Sequence, residues 1–208
     1  LLDFEHNLLQ PVQLIKTLME TDCKKFIFTS SGGIYRNDES AIDENARIFP
    51  LDELGPYLGS KLCGEIIVRS YSTEMMVTIL RPFFIYGFAQ KRDMLIPRLF
   101  DRVRKSQPIK LQGEEGIKIN PIHVKDAARA VVAATGESSS AVVNVAGPDV
   151  LSLRKICSEI GEYLSAEPMF EISEEEPKDL IADISLMKEK LISPTLSLLE
   201  CFDDIRPP

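Results

Sequence analysis

Residues 25–30, 76–80 and 142–146 form three short runs of apolar and β-branched side chains, and the stretches between them carry apolar residues at helical spacing. Strands this far apart in sequence cannot be joined by tight hairpins. The alternation therefore predicts parallel strands linked by crossover helices. Helices are expected over residues 8–20, 55–73, 94–105 and 125–135, with a further one capped by the hydroxyl of Ser152. In the first, Leu9, Val12, Leu14, Ile15, Leu18 and Met19 follow the helical period, and Pro11 fits only near its start. Gly55-Pro56 opens the second, after a polar stretch over 36–54. Short strands over 109–112 and 117–122 complete an α/β pattern with an appended lobe, and Ser138-Ser139-Ser140 and Glu174-Glu175-Glu176 read as solvated loops.

A chain of 208 residues can bury a proper core as one large domain or as a domain with a smaller lobe. Its 32 acidic against 24 basic side chains, a net charge of −8, produce a field that repels phosphate backbones and anionic membranes. Neither nucleic acid nor membrane is an expected partner; a small-molecule substrate is. No uncharged apolar run approaches the roughly 18 residues of a membrane-spanning helix. No basic-then-apolar leader is visible, which makes the cytoplasm the expected compartment. Cys23, Cys63, Cys157 and Cys201 are scattered, without a C-x-x-C pair, and His6 and His123 are the only imidazoles. Hence no zinc cage, disulfide framework or other metal centre is signalled; the cysteines read as buried thiols and His123 as a packed, hydrogen-bonded ring.

Tyr57 and Lys61 stand four residues apart in a predicted helix, which places both side chains on one face. A phenol titrates near pH ~10, and an adjacent ammonium would lower that value toward the range a general base needs. Such pairs are also common on solvated helix faces, so the spacing alone decides nothing. Ser30-Ser31 follows a predicted buried parallel strand, at the end where open α/β sheets bind ligands, and Gly32-Gly33 would let a ligand approach the backbone. The plainer reading of this stretch is a strand-end turn.

Five ordered segments bear a further likeness. They are Phe26-Ile27-Phe28-Thr29-Ser30-Ser31-Gly32-Gly33-Ile34-Tyr35, Tyr57-Leu58-Gly59-Ser60-Lys61, Leu80-Arg81-Pro82-Phe83-Phe84-Ile85-Tyr86-Gly87, Ile122-His123-Val124-Lys125-Asp126-Ala127-Ala128 and Asn144-Val145-Ala146-Gly147-Pro148. Together they resemble the extended short-chain dehydrogenase/reductase family, the NAD-dependent epimerases and dehydratases. The resemblance implies a Rossmann-like doubly wound parallel sheet over 1–86 and 120–147, with a small substrate-binding lobe over 87–119 and 148–208. It implies Tyr57 as acid/base, Lys61 on the nicotinamide ribose while depressing the tyrosine pKa, and Ser31 on the substrate oxygen; counting back from Tyr35 selects Ser31 over Ser30. Pro82, Phe83, Phe84 and Ile85 would run beside the nicotinamide of NAD or NADP, and Gly32, Gly33 and Phe84 would join Ser31 around the substrate. Asn7 resembles the asparagine ahead of the family's dimer helix, although an Asn before a helix also reads as a cap. A homodimer is implied through the 8–20 helix and the small residues Gly59, Cys63 and Gly64 of the tyrosine helix.

The implied chemistry is hydride exchange at a secondary alcohol of a sugar or nucleotide-sugar. Departures from the family pattern qualify it. Gly32-Gly33 stands where its dehydratases carry an acidic pair, which disfavours elimination. Phe84 stands in place of an asparagine, and Ile119-Asn120-Pro121 in place of arginine-aspartate-phenylalanine. Phenylalanine and isoleucine cannot make charge-assisted bonds to phosphate, so Lys118 or Lys178 would have to substitute, or the pocket is apolar and suits a carbonyl or alcohol reductase. A non-catalytic nicotinamide-binding module is the third alternative, which the intact Tyr57-Lys61 pair argues against. The eleven glycines fit neither dinucleotide-loop spacing, so these 208 residues alone are expected to hold NAD weakly and to lack turnover.

Overall fold

A computed structural model describes residues 2–36, 41–50 and 52–205. Strands β1 (Lys25–Thr29), β2 (Met76–Pro82) and β7 (Ala141–Val145) pair in parallel, in the order β1-β2-β7. The middle strand is buried along nearly its whole length because both of its edges and both of its faces are covered. Helices α1 (Leu2–Phe4) and α2 (Gln10–Leu18), joined by a π-helical turn (Glu5–Leu9), and α3 (Gly55–Ser70) flank the sheet, as does α5 (Val124–Ala134). Ile15, Phe26, Phe28, Val68, Val77 and Ile79 form the core beneath α2 and α3. Ala127, Ala130 and Ala134 bring α5 down onto Leu80, Val143 and Val145.

A second core joins α4 (Leu95–Arg104) to α6 (Leu153–Leu164) through Ile96, Leu99, Phe100, Ile156 and Ile160. Strands β4 (Ile109–Gln112) and β9 (Phe170–Ser173) pair in parallel beside it. Phe84 packs against this core and against the sheet's core alike. Ser152 caps α6 as expected, its hydroxyl accepting the Lys155 N–H at 3.1 Å. No helix among the described residues is long and apolar enough to cross a membrane.

Several boundaries differ from expectation. The first helix begins at Leu2 rather than at residue 8 and slips into π geometry before Pro11, where the Gln10 N–H reaches the Glu5 carbonyl. Pro11 has no N–H for the Asn7 carbonyl, and the ladder absorbs the loss by widening one turn. The strand expected over 117–122 is two pieces, β5 (Lys118–Ile119) and β6 (Ile122–His123). The buried Asn120 side chain between them bonds the Ala182 backbone in both directions, and Pro121 cannot donate. β6 pairs with β3 (Ile85–Tyr86), and β5 with β8 (Leu151–Ser152). Of the cysteines only Cys157 is buried; Cys23, Cys63 and Cys201 are half-buried.

The loop-rich C-terminal stretch is a strap. Asp126 accepts the Thr195 and Leu196 N–H groups, Arg92 donates to the Ile205 carbonyl, and Leu198, Phe202 and Ile205 are buried in the second core. His123 is the packed ring anticipated: fully buried, edge-on to Tyr86, with Nε2 2.9 Å from Asp204 Oδ2.

Buried phenols and thiols make the fold sensitive to alkali. Burial pushes the Tyr35 phenol and the Cys157 thiol up to about 12, and burial raises the Tyr86 phenol as well. In the unfolded chain these groups titrate near pH ~8.5 to ~10. The folded state holds their protons more tightly, so their contribution is complete below those values and is lost as pH rises toward about 12. Denaturant midpoints are expected to be flat from pH 7 to 8 and to fall steadily from about pH 9 to 11.5. Midpoints unchanged across that range would contradict this assignment.

Candidate active site

β1 ends where the Ser30 N–H bonds the Leu80 carbonyl at 2.7 Å, and the chain then turns through Ser31. Ser31 is extended, and its hydroxyl oxygen accepts the Gly33 N–H at 3.1 Å, capping the 3₁₀ turn Gly32–Ile34. A Cβ on Gly32 would lie 2.3 Å from the Phe83 ring, and one on Gly33 would lie 3.1 Å from Leu58. These glycines therefore serve close packing of the turn against β2 and α3. The room expected at Gly32-Gly33 for a ligand is taken by Phe83 and Leu58.

Helix α3 opens at Gly55, in the left-handed region at φ +66°, followed by Pro56. Tyr57 sits in its first turn with its side chain 50% exposed, and Leu58 beside it rests against the serine turn. One turn on, the Lys61 ammonium donates to the Thr29 carbonyl at 2.9 Å and lies 5.6 Å from the Phe28 ring centroid. The Tyr57–Lys61 turn and the Ser31 turn thus meet at the carboxyl end of β1. The electrostatics differ from expectation. Burial, and then the Asp3 carboxylate, raise the Tyr57 phenol above its ordinary value, while burial lowers Lys61. With its ammonium spent on Thr29, Lys61 does not depress the phenol here. Spacing of four residues sets reach along a helix but not where the charge is aimed.

Asn7 is not a cap. Its Nδ2 donates to Ser60 Oγ at 3.0 Å, and that hydroxyl donates to the Tyr57 carbonyl at 2.7 Å. Its own carbonyl lies 2.5 Å from where a Gly64 Cβ would stand. The π-helical turn before Pro11 thereby clamps the first helix to the tyrosine helix. Gly64 is needed for that contact, whereas nothing lies within 4 Å of a Cβ built on Gly59.

Around the end of β2, Pro82 and Ile85 are half-buried, and Phe83 is 2% exposed and stacked on Tyr35, so its ring belongs to the core. Phe84 stands at φ +43°, a conformation a bulky L-residue rarely adopts, with its carbonyl accepting the Ile122 N–H. Ile119 is fully buried in the second core and cannot make a ligand pocket apolar. Lys118 and Lys178 are exposed. Ser30, set aside in the sequence in favour of Ser31, has its Oγ buried without a partner among the described residues. Gln90, which no motif marks, likewise has a buried Oε1 without a partner there, on a side chain bonded to the Ile85 carbonyl. A cavity of about 620 Å³ is lined by Leu95, Arg98, Lys110, Gln112, Leu153 and Glu171, among others.

Residues 2–146 match the sequence model of the NAD dependent epimerase/dehydratase family. An uncharacterized UDP-glucose epimerase of Bacillus subtilis (strain 168), YtcB, is 27% identical over 193 residues, covering 89% of this chain and 60% of that protein. UDP-glucuronate 4-epimerase of Thermodesulfobacterium geofontis is 23% identical over 145 residues, covering 69% and 44%. Among solved structures, UDP-glucuronic acid 4-epimerase from Bacillus cereus in complex with NAD superposes with a TM-score of 0.81 at 29% identity, covering 96% of this chain and 67% of that one. The chain thus spans about half of the length of these two curated relatives, between 44% and 60%. With a parallel sheet, a Tyr-x-x-x-Lys helix against its serine turn, and a match over residues 2–146, the chain belongs to the NAD-dependent epimerase/dehydratase family.

Proposed function

We propose that this chain is part of an NAD(P)-dependent epimerase that exchanges hydride at a secondary alcohol of a sugar or nucleotide-sugar. The Lys61–Thr29 bond at 2.9 Å carries this reading, because it holds the Tyr57–Lys61 turn against the strand end bearing Ser31. The residues present suit the nicotinamide ribose: an ammonium, a half-exposed phenol and the orphaned Ser30 hydroxyl lie along one strand end. When bound, the nicotinamide would supply reversible hydride exchange. Tyr57 would move the proton of the reacting hydroxyl. Its raised pKa keeps it protonated at neutral pH until positive charge is brought beside it, and Lys61 can supply that charge by turning from Thr29. The Ser31 oxygen already accepts from Gly33, which leaves its own proton free for the substrate oxygen.

Residues 87–119 and 148–208 are proposed to form the substrate lobe, with the 620 Å³ cavity taking the far end of the substrate. Arg98 and Lys110 line it, and neither forms an ion pair among the described residues, so both can meet the anionic oxygens that Phe84 and Ile119 cannot. A second reading, a carbonyl or alcohol reductase, is favoured by the ring of Phe84 at the strand end. Cofactor balance separates the two: an epimerase leaves bulk NAD(H) unchanged, and a reductase consumes one equivalent per product.

In the protein extended to the length of its relatives, Tyr57→Phe is expected to lower kcat about 10²–10⁴-fold while dinucleotide binding measured by calorimetry persists. Unchanged turnover would remove Tyr57 from the chemistry. A homodimer through α2 and α3 is also proposed, because Leu14 and Ile66 leave apolar surface 51% and 61% exposed on those helices. Light scattering should give twice 23.3 kDa, and Leu14→Glu with Ile66→Glu should give a folded monomer. A monomeric wild-type chain would refute the interface.

A further inference from the structure

We propose that Arg81 is a positioning residue whose single guanidinium sets where the Tyr57–Lys61 helix stands relative to the Ser31 turn. The inference rests on the reading that these three side chains act together. Arg81 is 3% exposed on β2, opposite Asn144 of β7. Its Nε and Nη2 donate to the two carboxylate oxygens of Glu65 at 2.9 and 2.6 Å, and Glu65 is 2% exposed on α3, one turn beyond Lys61. Its Nη1 donates to the Tyr35 hydroxyl at 2.5 Å, and Tyr35 directly follows the Gly32–Ile34 turn that Ser31 caps. The Tyr35 hydroxyl donates to Asn144 Oδ1 at 2.9 Å, and the Asn144 backbone N–H donates to Glu44 Oε1. One planar fork thus spans the helix carrying two of the proposed catalytic groups and the turn carrying the third.

Stability alone does not account for this choice. Desolvating a charged pair cancels most of its attraction, and well-packed apolar side chains of the same volume hold a helix on a sheet as firmly. Apolar packing, however, tolerates sliding and rotation. A bidentate fork fixes position and angle, and a third contact on the same plane transfers that fix to the turn. The turn is gripped from its other side by Phe83, which stacks on Tyr35 and covers Gly32.

Arg81→Lys keeps the charge and loses the fork, and a misplacement of about 1 Å lowers rates on the order of 10²-fold. In the protein extended to the length of its relatives, the expected result is a kcat lowered about 10²-fold with KM within about threefold. An Arg81→Lys protein with wild-type kcat would overturn the proposal. Tyr35→Phe keeps the ring stack and guards against loss of fold. In the 208-residue chain, hydrogen exchange at the Gly33 and Tyr35 N–H groups should quicken about five- to tenfold while β2 and β7 amides hold their rates. Unchanged exchange in the turn, or equal quickening throughout, would overturn it. A wild-type protein extended to the length of its relatives and still without turnover would refute the epimerase reading, and the exchange result would still decide whether Arg81 ties the turn.

Discussion

Parallel pairing of β1, β2 and β7 is the constraint from which the site follows. Strands that run the same way end at the same edge, so the turn after β1, the Phe83-Phe84 link after β2 and the Gly147 loop after β7 are neighbours before any side chain is considered. Gly147 also meets the Asn120–Pro121 link between β5 and β6, since a Cβ there would lie 1.9 Å from the Pro121 carbonyl oxygen. The same parallel geometry requires a crossover from β1 to β2 and another from β2 to β7. It is the crossover α3 that delivers Tyr57 and Lys61 to the edge carrying Ser31.

Much of this was legible in the chain. Short apolar, β-branched runs located β1, β2 and β7, and helical spacing with its start signals located α3 and α5, within a few residues, because those elements are decided by what is buried. What patterning could not show was anything decided by a particular contact. The π-helical turn at Glu5–Leu9 depends on Pro11 withholding one N–H, and the split between β5 and β6 on the amide of Asn120. Gly32 resembled open space in the sequence and is a packing site in the fold, because a glycine marks close approach without saying by what. Ile119 likewise read as a pocket wall and is core. Arg98 and Lys110 had no motif at all; only the tertiary fold sets both beside one cavity.

The electrostatics of Tyr57 illustrate the same limit. An ammonium four residues away suggested a softened phenol, whereas burial and Asp3 stiffen it and Lys61 is engaged with a backbone carbonyl. The two descriptions are reconciled if the lysine is a switchable group. A carbonyl is a modest partner for an ammonium, and a stronger one arriving at the strand end would compete for it. On the proposed reading, the resting site holds the Tyr57 phenol protonated, and charge rearrangement would accompany binding.

Polar residues elsewhere in the same five segments do structural work of a related kind. His123 and Asp126 both lie in the fourth of those segments; His123 meets Asp204, and Asp126 takes two backbone N–H groups of the C-terminal strap. Tyr86, between them, is buried and reaches the Leu196 carbonyl. The strap's Leu198, Phe202 and Ile205 lie in the second core, so these polar bonds fasten that core to the end of the sheet. Arg81 does for the helix and turn what His123 and Asp126 do for the strap: a buried polar group with every partner satisfied fixes an orientation that apolar contact alone would leave free. Position, rather than added stability, is what unites the buried charges of this chain.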